Sequence, residues 1–218
     1  MSQVRVPADS GYVATPEELA YEARAAENAL FTASRVMIGI FAFAFAALAF
    51  AYFYLRSTNS AGLWRPHDVT APVSTGTAIM ALVLASTGLL AFGLRQFRRN
   101  DTLDWDVAGW TAVASGLLAL GLQCWELTDL PFSPSTGGYT SVFIGWAVMD
   151  IILLVSGVYW AETLLARHAR VRKAATEDSR SAGFASAHFR VNVESCTYFW
   201  GFIAFVSVFF WVFFYIAG

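Results

Sequence analysis

Charge is scarce in this chain: only 14% of its 218 residues are Asp, Glu, Lys or Arg, against 57% that are apolar. A soluble domain of this size needs far more charge to cover its surface, so that class is excluded. Lysine is nearly missing, with Lys173 alone beside an arginine-dominated basic set. The formal net charge of −2 creates no field that would draw nucleic acid. Cysteine is almost as rare. Cys124 and Cys196 are expected at opposite ends of the membrane layer, roughly 25–30 Å apart, whereas a disulfide needs Cα atoms within about 7 Å. Two thiols without further ligands make no structural zinc site either, and both read as small core residues. Histidine occurs only at His67, His168 and His188, none of them inside a long apolar run. Mid-membrane axial ligation of haem, or a copper centre on this chain, is thereby excluded, and metal sites are expected to be none.

What the chain has in quantity is apolar sequence. Five runs, at about 34–55, 75–94, 107–125, 139–165 and 196–216, are each long enough to cross a bilayer as a helix. The Phe-Ala-Phe-Ala-Phe-Ala stretch at 41–46 alternates like a strand. Its setting among uncharged residues from Val36 to Tyr54 favours a helix instead. The expected fold is an all-α integral membrane bundle of five transmembrane helices. Residues 1–33 read as an acidic N-terminal tail with Asp9, Glu17, Glu18, Glu22 and Glu27, and residues 34–218 as the membrane domain. Within the tail, Thr15-Pro16-Glu17-Glu18 is a helix-start pattern: a capping hydroxyl, Pro at the first position, then acids on the positive dipole end. No basic segment leads into a short apolar core, as a signal peptide would require.

Basic residues set the expected orientation. Arg5, Arg24, Arg95, Arg98, Arg99, Arg167, Arg170, Arg172, Lys173, Arg180 and Arg190 fall on one side, in the tail and the 95–106 and 166–195 loops, while Arg56 and Arg65 fall on the other. The positive-inside rule then puts the N-terminus in the cytoplasm and the C-terminus outside. On the third span Gly109, Ala112, Gly116, Ala119, Gln123 and Glu126 recur at steps of three and four, which marks a close-packing face. Asp150, Gly157 and Ala161 share a face of the fourth by the same spacing. No repeat of 20–50 residues is evident, and an odd span count does not divide into two equal halves.

Few residues could carry chemistry. Asp150 sits about ten residues, or roughly 15 Å, from the outer end of its helix, near the bilayer centre, where an acid must face protein or water. It reads either as a proton-handling carboxyl group or, with more weight, as a neutral or hydrogen-bonded acid that ties helices or subunits together. Gln123 and Glu126, at the outer end of the third span, read as a structural hydrogen-bonding pair. Arg35 can snorkel to the cytoplasmic surface, where Glu162 lies at similar depth; an ion pair between them and an isolated charge are both open. No haem-attachment motif, nucleotide-binding glycine loop or nucleophile elbow is present.

Several fragments, in order, resemble subunit III of the haem-copper oxidases, the cytochrome c oxidase and quinol oxidase class. Phe31-Thr-Ala-Ser-Arg-Val-Met37 is similar to the family's Phe-Leu-x-Ser-Glu-Val-Met, and is followed by Ala51-Tyr52-Phe53 and Leu55-Arg56. Trp64-Arg-Pro66 resembles its Trp-Pro loop. Leu84-Ala-Ser-Thr-Gly88, Ala91 and Arg98-Arg-Asn-Asp101 resemble its second helix and basic turn. Leu122-Gln123-x-x-Glu126 matches its Leu-Gln-x-x-Glu ending, Ser141-x-Phe143 through Gly157 its next helix, and Phe199-Trp200-x-Phe202 its final Tyr-Trp-His-Phe. Together they span most of residues 31–218.

The departures are Arg35 in place of a glutamate, Asp150 and Leu153 in place of a histidine pair, and Gly201 and Ala204 in place of a histidine and an aspartate. The roles of those replaced residues do not carry over. The resemblance implies a divergent five-helix accessory subunit of the bacterial cell membrane, with no catalytic residue of its own. It would pack against catalytic subunit I and near subunit II, with haem and copper on those partners and with bound phospholipid. Other readings remain: the related subunit that accompanies nitric oxide reductases, and a small proton-coupled transporter built around Asp150 and Glu126.

Overall fold

A computed structural model describes residues 15–59, 62–65, 69–99, 101–174 and 182–217. Asp9, Arg5, His67 and Arg180 lie outside them, as does the side chain of His188. Among the described residues the chain is helical, with five helices long and apolar enough to cross a membrane. They are α1 (Pro16–Ser57), α2 (Val73–Arg98), α3 (Thr102–Thr128), α4 (Gly138–Ala174) and α5 (Ala182–Trp211).

The helices overrun the apolar runs because nothing stops a helix once started until a cap or a breaker intervenes. α1 starts at the expected signal: Thr15 caps Glu18 N–H and the Glu18 carboxylate accepts from Thr15 N–H, with Pro16 at the first position. From there the polar stretch runs into the apolar one as a single helix of 42 residues. The 95–106 segment, expected as a loop, narrows to a turn. α2 ends at Arg98, and Asp101, accepting from Asp104 N–H, already caps α3. The 166–195 segment is likewise largely helical, with α4 running to Ala174 and α5 beginning at Ala182. The alternating phenylalanines of α1 behave as helical residues should: Phe45 is buried while Phe43 is 80% exposed.

α4 and α5 pack against each other at the centre, with α1 on one flank and the closely paired α2 and α3 on the other. Both stripes anticipated from spacing face inward: Gly109, Ala112, Gly116, Ala119, Gln123 and Glu126 on α3, and Asp150, Gly157 and Ala161 on α4, are all buried. Small residues serve there as seats for large ones. A Cβ on Gly116 would come within 2.7 Å of the Trp200 ring, and one on Gly157 within 2.6 Å of Ile203. Polar bonds join the same seams. Ser86 donates to the Ala112 carbonyl at 2.8 Å, tying α2 to α3, and Trp200 Nε1 donates to the Gly157 carbonyl at 3.2 Å, tying α5 to α4. The two cysteines are free, but only Cys196 is buried; Cys124 is exposed on the outer face of α3, against the expectation of two core thiols. Its neighbours Gln123 and Glu126 occupy the inward face, and one helical step of about 100° turns Cys124 away from it.

Candidate functional site

The last turn of the chain opens into a π-helix, Val212–Ile216, immediately after α5. Helix C-termini leave carbonyls without intrahelical partners, and a wider turn re-aims them. Side chains from two other helices meet these carbonyls. Tyr52 of α1 donates to Phe213 O at 3.0 Å, and Tyr139 of α4 donates to Phe214 O at 2.9 Å. Arg56 donates both to Tyr52 Oη, at 2.9 Å, and to Ala217 O, at 2.7 Å. Its guanidinium adds positive charge where the helix dipole is negative.

The π turn delivers Tyr215 to the interior. Its hydroxyl donates to Glu126 Oε1 at 2.8 Å, while Gln123 Nε2 donates to the other carboxylate oxygen at 3.1 Å. The expected Gln123–Glu126 pair is therefore present and fully buried, and Tyr215 is a third member that sequence reading missed. No local pattern announces it, since Tyr215 is 89 residues from Glu126 and only the C-terminal turn brings the two together.

Asp150 joins the same region. It lies on the wall of a small cavity with room for about one water molecule, lined also by Gly76, Gln123, Ser207 and Tyr215. Both Asp150 carboxylate oxygens, Gln123 Oε1 and Ser207 Oγ are buried without a hydrogen-bond partner among the described residues. The structure thus brings three of the anticipated residues, Asp150, Gln123 and Glu126, into one polar cluster. It does not bring Arg35 to Glu162. Both are exposed, Arg35 lies over the Phe31 ring at 4.0 Å, and no ion pair joins them among the described residues.

Gly76 makes the cluster possible. A Cβ there would lie 2.2 Å from the Tyr215 ring, so the α2 backbone is what the ring rests on. Gly76→Ala is expected to cost about 1–3 kcal/mol by displacing the ring, less whatever alanine adds in helix propensity. In a Tyr215→Ala background the cost should vanish. Unfolding of both pairs in mixed micelles checks this, and an equal cost in both backgrounds would dismiss the contact.

At the opposite, arginine-rich end a second cluster was not foreseen. His168 Nδ1 and Asp106 Oδ1 are 2.8 Å apart, Arg172 bonds the other Asp106 oxygen, and the imidazole lies among Phe97, Trp105 and Phe189. His168 is thus a packed, paired side chain rather than a free surface one. Arg98 and Glu194 bridge α2 to α5 nearby at 2.9 Å. Among the described residues no group of three or more His, Cys, Asp or Glu side chains could hold a metal ion.

Comparison of the sequence with known protein families and with curated proteins gives no match.

Proposed function

We propose that the chain is a non-catalytic accessory subunit, of the subunit III kind, in a respiratory haem-copper oxidase of a bacterial cell membrane. In this reading the N-terminus is cytoplasmic and the C-terminus outside, the arginine-rich end facing the cytoplasm. The chain packs against catalytic subunit I and near subunit II, which carry the haem and copper. It stabilises that core, holds annular lipid and supports proton uptake from the cytoplasmic side.

The observation that supports this reading is where the resembling residues lie. Ser86, Gln123, Glu126, Phe199 and Trp200 come from three separate fragments of the likeness, and all are buried. Ser86 and Trp200 hydrogen-bond directly between helices, and Glu126 is bonded from the C-terminal turn. Residues at such seams decide how helices pack in lipid, so the likeness at these five positions is one of packing, while Val36, Phe53 and Leu84 of the other resembling residues are exposed.

Purification in mild detergent followed by a haem spectrum tests the proposal. Co-purification with a larger, haem-bearing multi-span chain is the expected result, and a lone haem-free chain overturns it. An isolated chain that moved protons in liposomes would favour the small-transporter reading, for which the polar cavity at Asp150 is the specific observation. A haem-bearing partner that reduces nitric oxide rather than dioxygen would place the chain with the nitric oxide reductases.

A further inference from the structure

We propose that the cavity between α2, α3, α4 and the C-terminal end of α5 binds one monovalent cation no larger than a water molecule, such as sodium, through Asp150, Gln123 and Ser207. Seven buried side-chain polar atoms lack a hydrogen-bond partner among the described residues, and four of them belong to this one cavity wall: Asp150 Oδ1 and Oδ2, Gln123 Oε1 and Ser207 Oγ. Asp150 and Gln123 have no exposed surface, and Ser207 is 3% exposed.

All four atoms are oxygens, and the donor groups of the neighbouring side chains each make a bond elsewhere. Gln123 Nε2 donates to Glu126, Tyr215 Oη donates to Glu126, and Trp211 Nε1 donates to Thr77 Oγ1. Among the described residues Ser207 keeps a free hydroxyl hydrogen, and the one bond of Gln123 Nε2 uses one of its two hydrogens. Among the described residues no ion pair reaches the Asp150 carboxylate. A buried carboxylate without a counter-charge is costly, and an oxygen-only wall is the surface that a hard cation replaces its hydration with.

Charge and size choose among cations. Asp150 is the one acid on the wall, so the site supplies a single negative charge. The space is that of about one water. Calcium takes six to eight oxygens and magnesium keeps several waters, neither of which fits here. Sodium is smaller than a water molecule and potassium close to it in size, so both fit this space, whereas choline is far too large. A sodium ion between Asp150 on α4, Gln123 on α3 and Ser207 on α5 would join three helices at the point where the structure leaves their polar groups unpaired. It would also place a cation one side chain away from Glu126.

The proposal is independent of the accessory-subunit reading, because sodium binding and haem co-purification are separate measurements that can fail separately. Equilibrium binding of radioactive sodium to the purified full chain should saturate at about one ion per chain, displaced by lithium and not by choline. The melting temperature should be about 2–4 °C higher in sodium chloride than in choline chloride of equal ionic strength. Asp150→Asn should lose both effects. Ser207→Ala, which removes one oxygen and leaves the carboxylate, should weaken sodium affinity several-fold and shrink the melting difference between sodium and choline. Equal melting in all salts without saturable binding, meaning a water alone in the cavity, overturns the proposal, as does sodium binding that survives Asp150→Asn.

Discussion

Trp200→Ala is expected to lower the unfolding free energy by about 3–5 kcal/mol, the range for deleting a large aromatic side chain from a packed interior. Trp200 has no exposed surface and stands where four helices meet. Its ring rests against Gly116 of α3 and Gly157 of α4, its indole N–H bonds the Gly157 carbonyl, and Thr87 of α2 donates to its own carbonyl at 3.3 Å. Burial from water is not the main term here, because lipid is as apolar as the protein interior. The loss comes from packing contacts and from the second hydrogen bond that the Gly157 carbonyl receives beside its helical one. Reversible unfolding in mixed micelles of increasing SDS content measures the change. Trp110, 46% exposed on the outer face of α3, is the matched control, expected within about 0.5 kcal/mol of the wild type on alanine substitution. Equal costs at the two positions would mean that the seams at Gly116 and Gly157 do not hold the bundle together.

Glu126→Leu is expected to cost about 2–4 kcal/mol, since it leaves both Tyr215 Oη and Gln123 Nε2 buried without an acceptor. Tyr215→Phe removes only one donor from a carboxylate that keeps Gln123, and should cost about 1–3 kcal/mol. The two residues share a bond, so their effects should not add. A double-mutant cycle is expected to return a coupling of about 1–3 kcal/mol, and additivity within about 0.3 kcal/mol would show that the bond contributes nothing. Arg98→Ala provides the scale at the other end. Its 2.9 Å bridge to Glu194 lies between side chains 48% and 32% exposed, and such surface pairs are worth about 0–1 kcal/mol.

The two clusters differ in how visible they were. Gln123 and Glu126 are three residues apart on one helix, so periodicity alone places them together on an inward face, and they are found bonded there. Asp150 could be assigned to the interior of the membrane from its position, because an acid at that depth has few places to go. That it shares a cavity with Gln123, however, depends on the fit of α3 against α4 and on Ser207 from α5. Asp106 and His168 could not be paired from sequence for the same reason: they are 62 residues apart and meet only because α3 and α4 run side by side. Arg35 and Glu162 show the reverse error. Similar depth is compatible with an ion pair, but rotation about the helix axes decides it, and both side chains point outward.

The amino-acid sequence by itself determined that the chain is helical, that five of its segments are long and apolar enough to cross a membrane, and which stripes of α3 and α4 turn inward. These properties follow from hydrophobic length and from a 3.6-residue period, both local. Only the tertiary structure decided that the final turn opens into a π-helix, that its carbonyls are held by Tyr52, Tyr139 and Arg56, and that it carries Tyr215 over Gly76 to Glu126. Those contacts join residues up to 161 positions apart, and no local pattern encodes the rotation and depth at which separate helices meet. The scarcity of charge that marks the chain as a membrane protein also makes these few buried polar groups conspicuous. Where they gather was settled by packing.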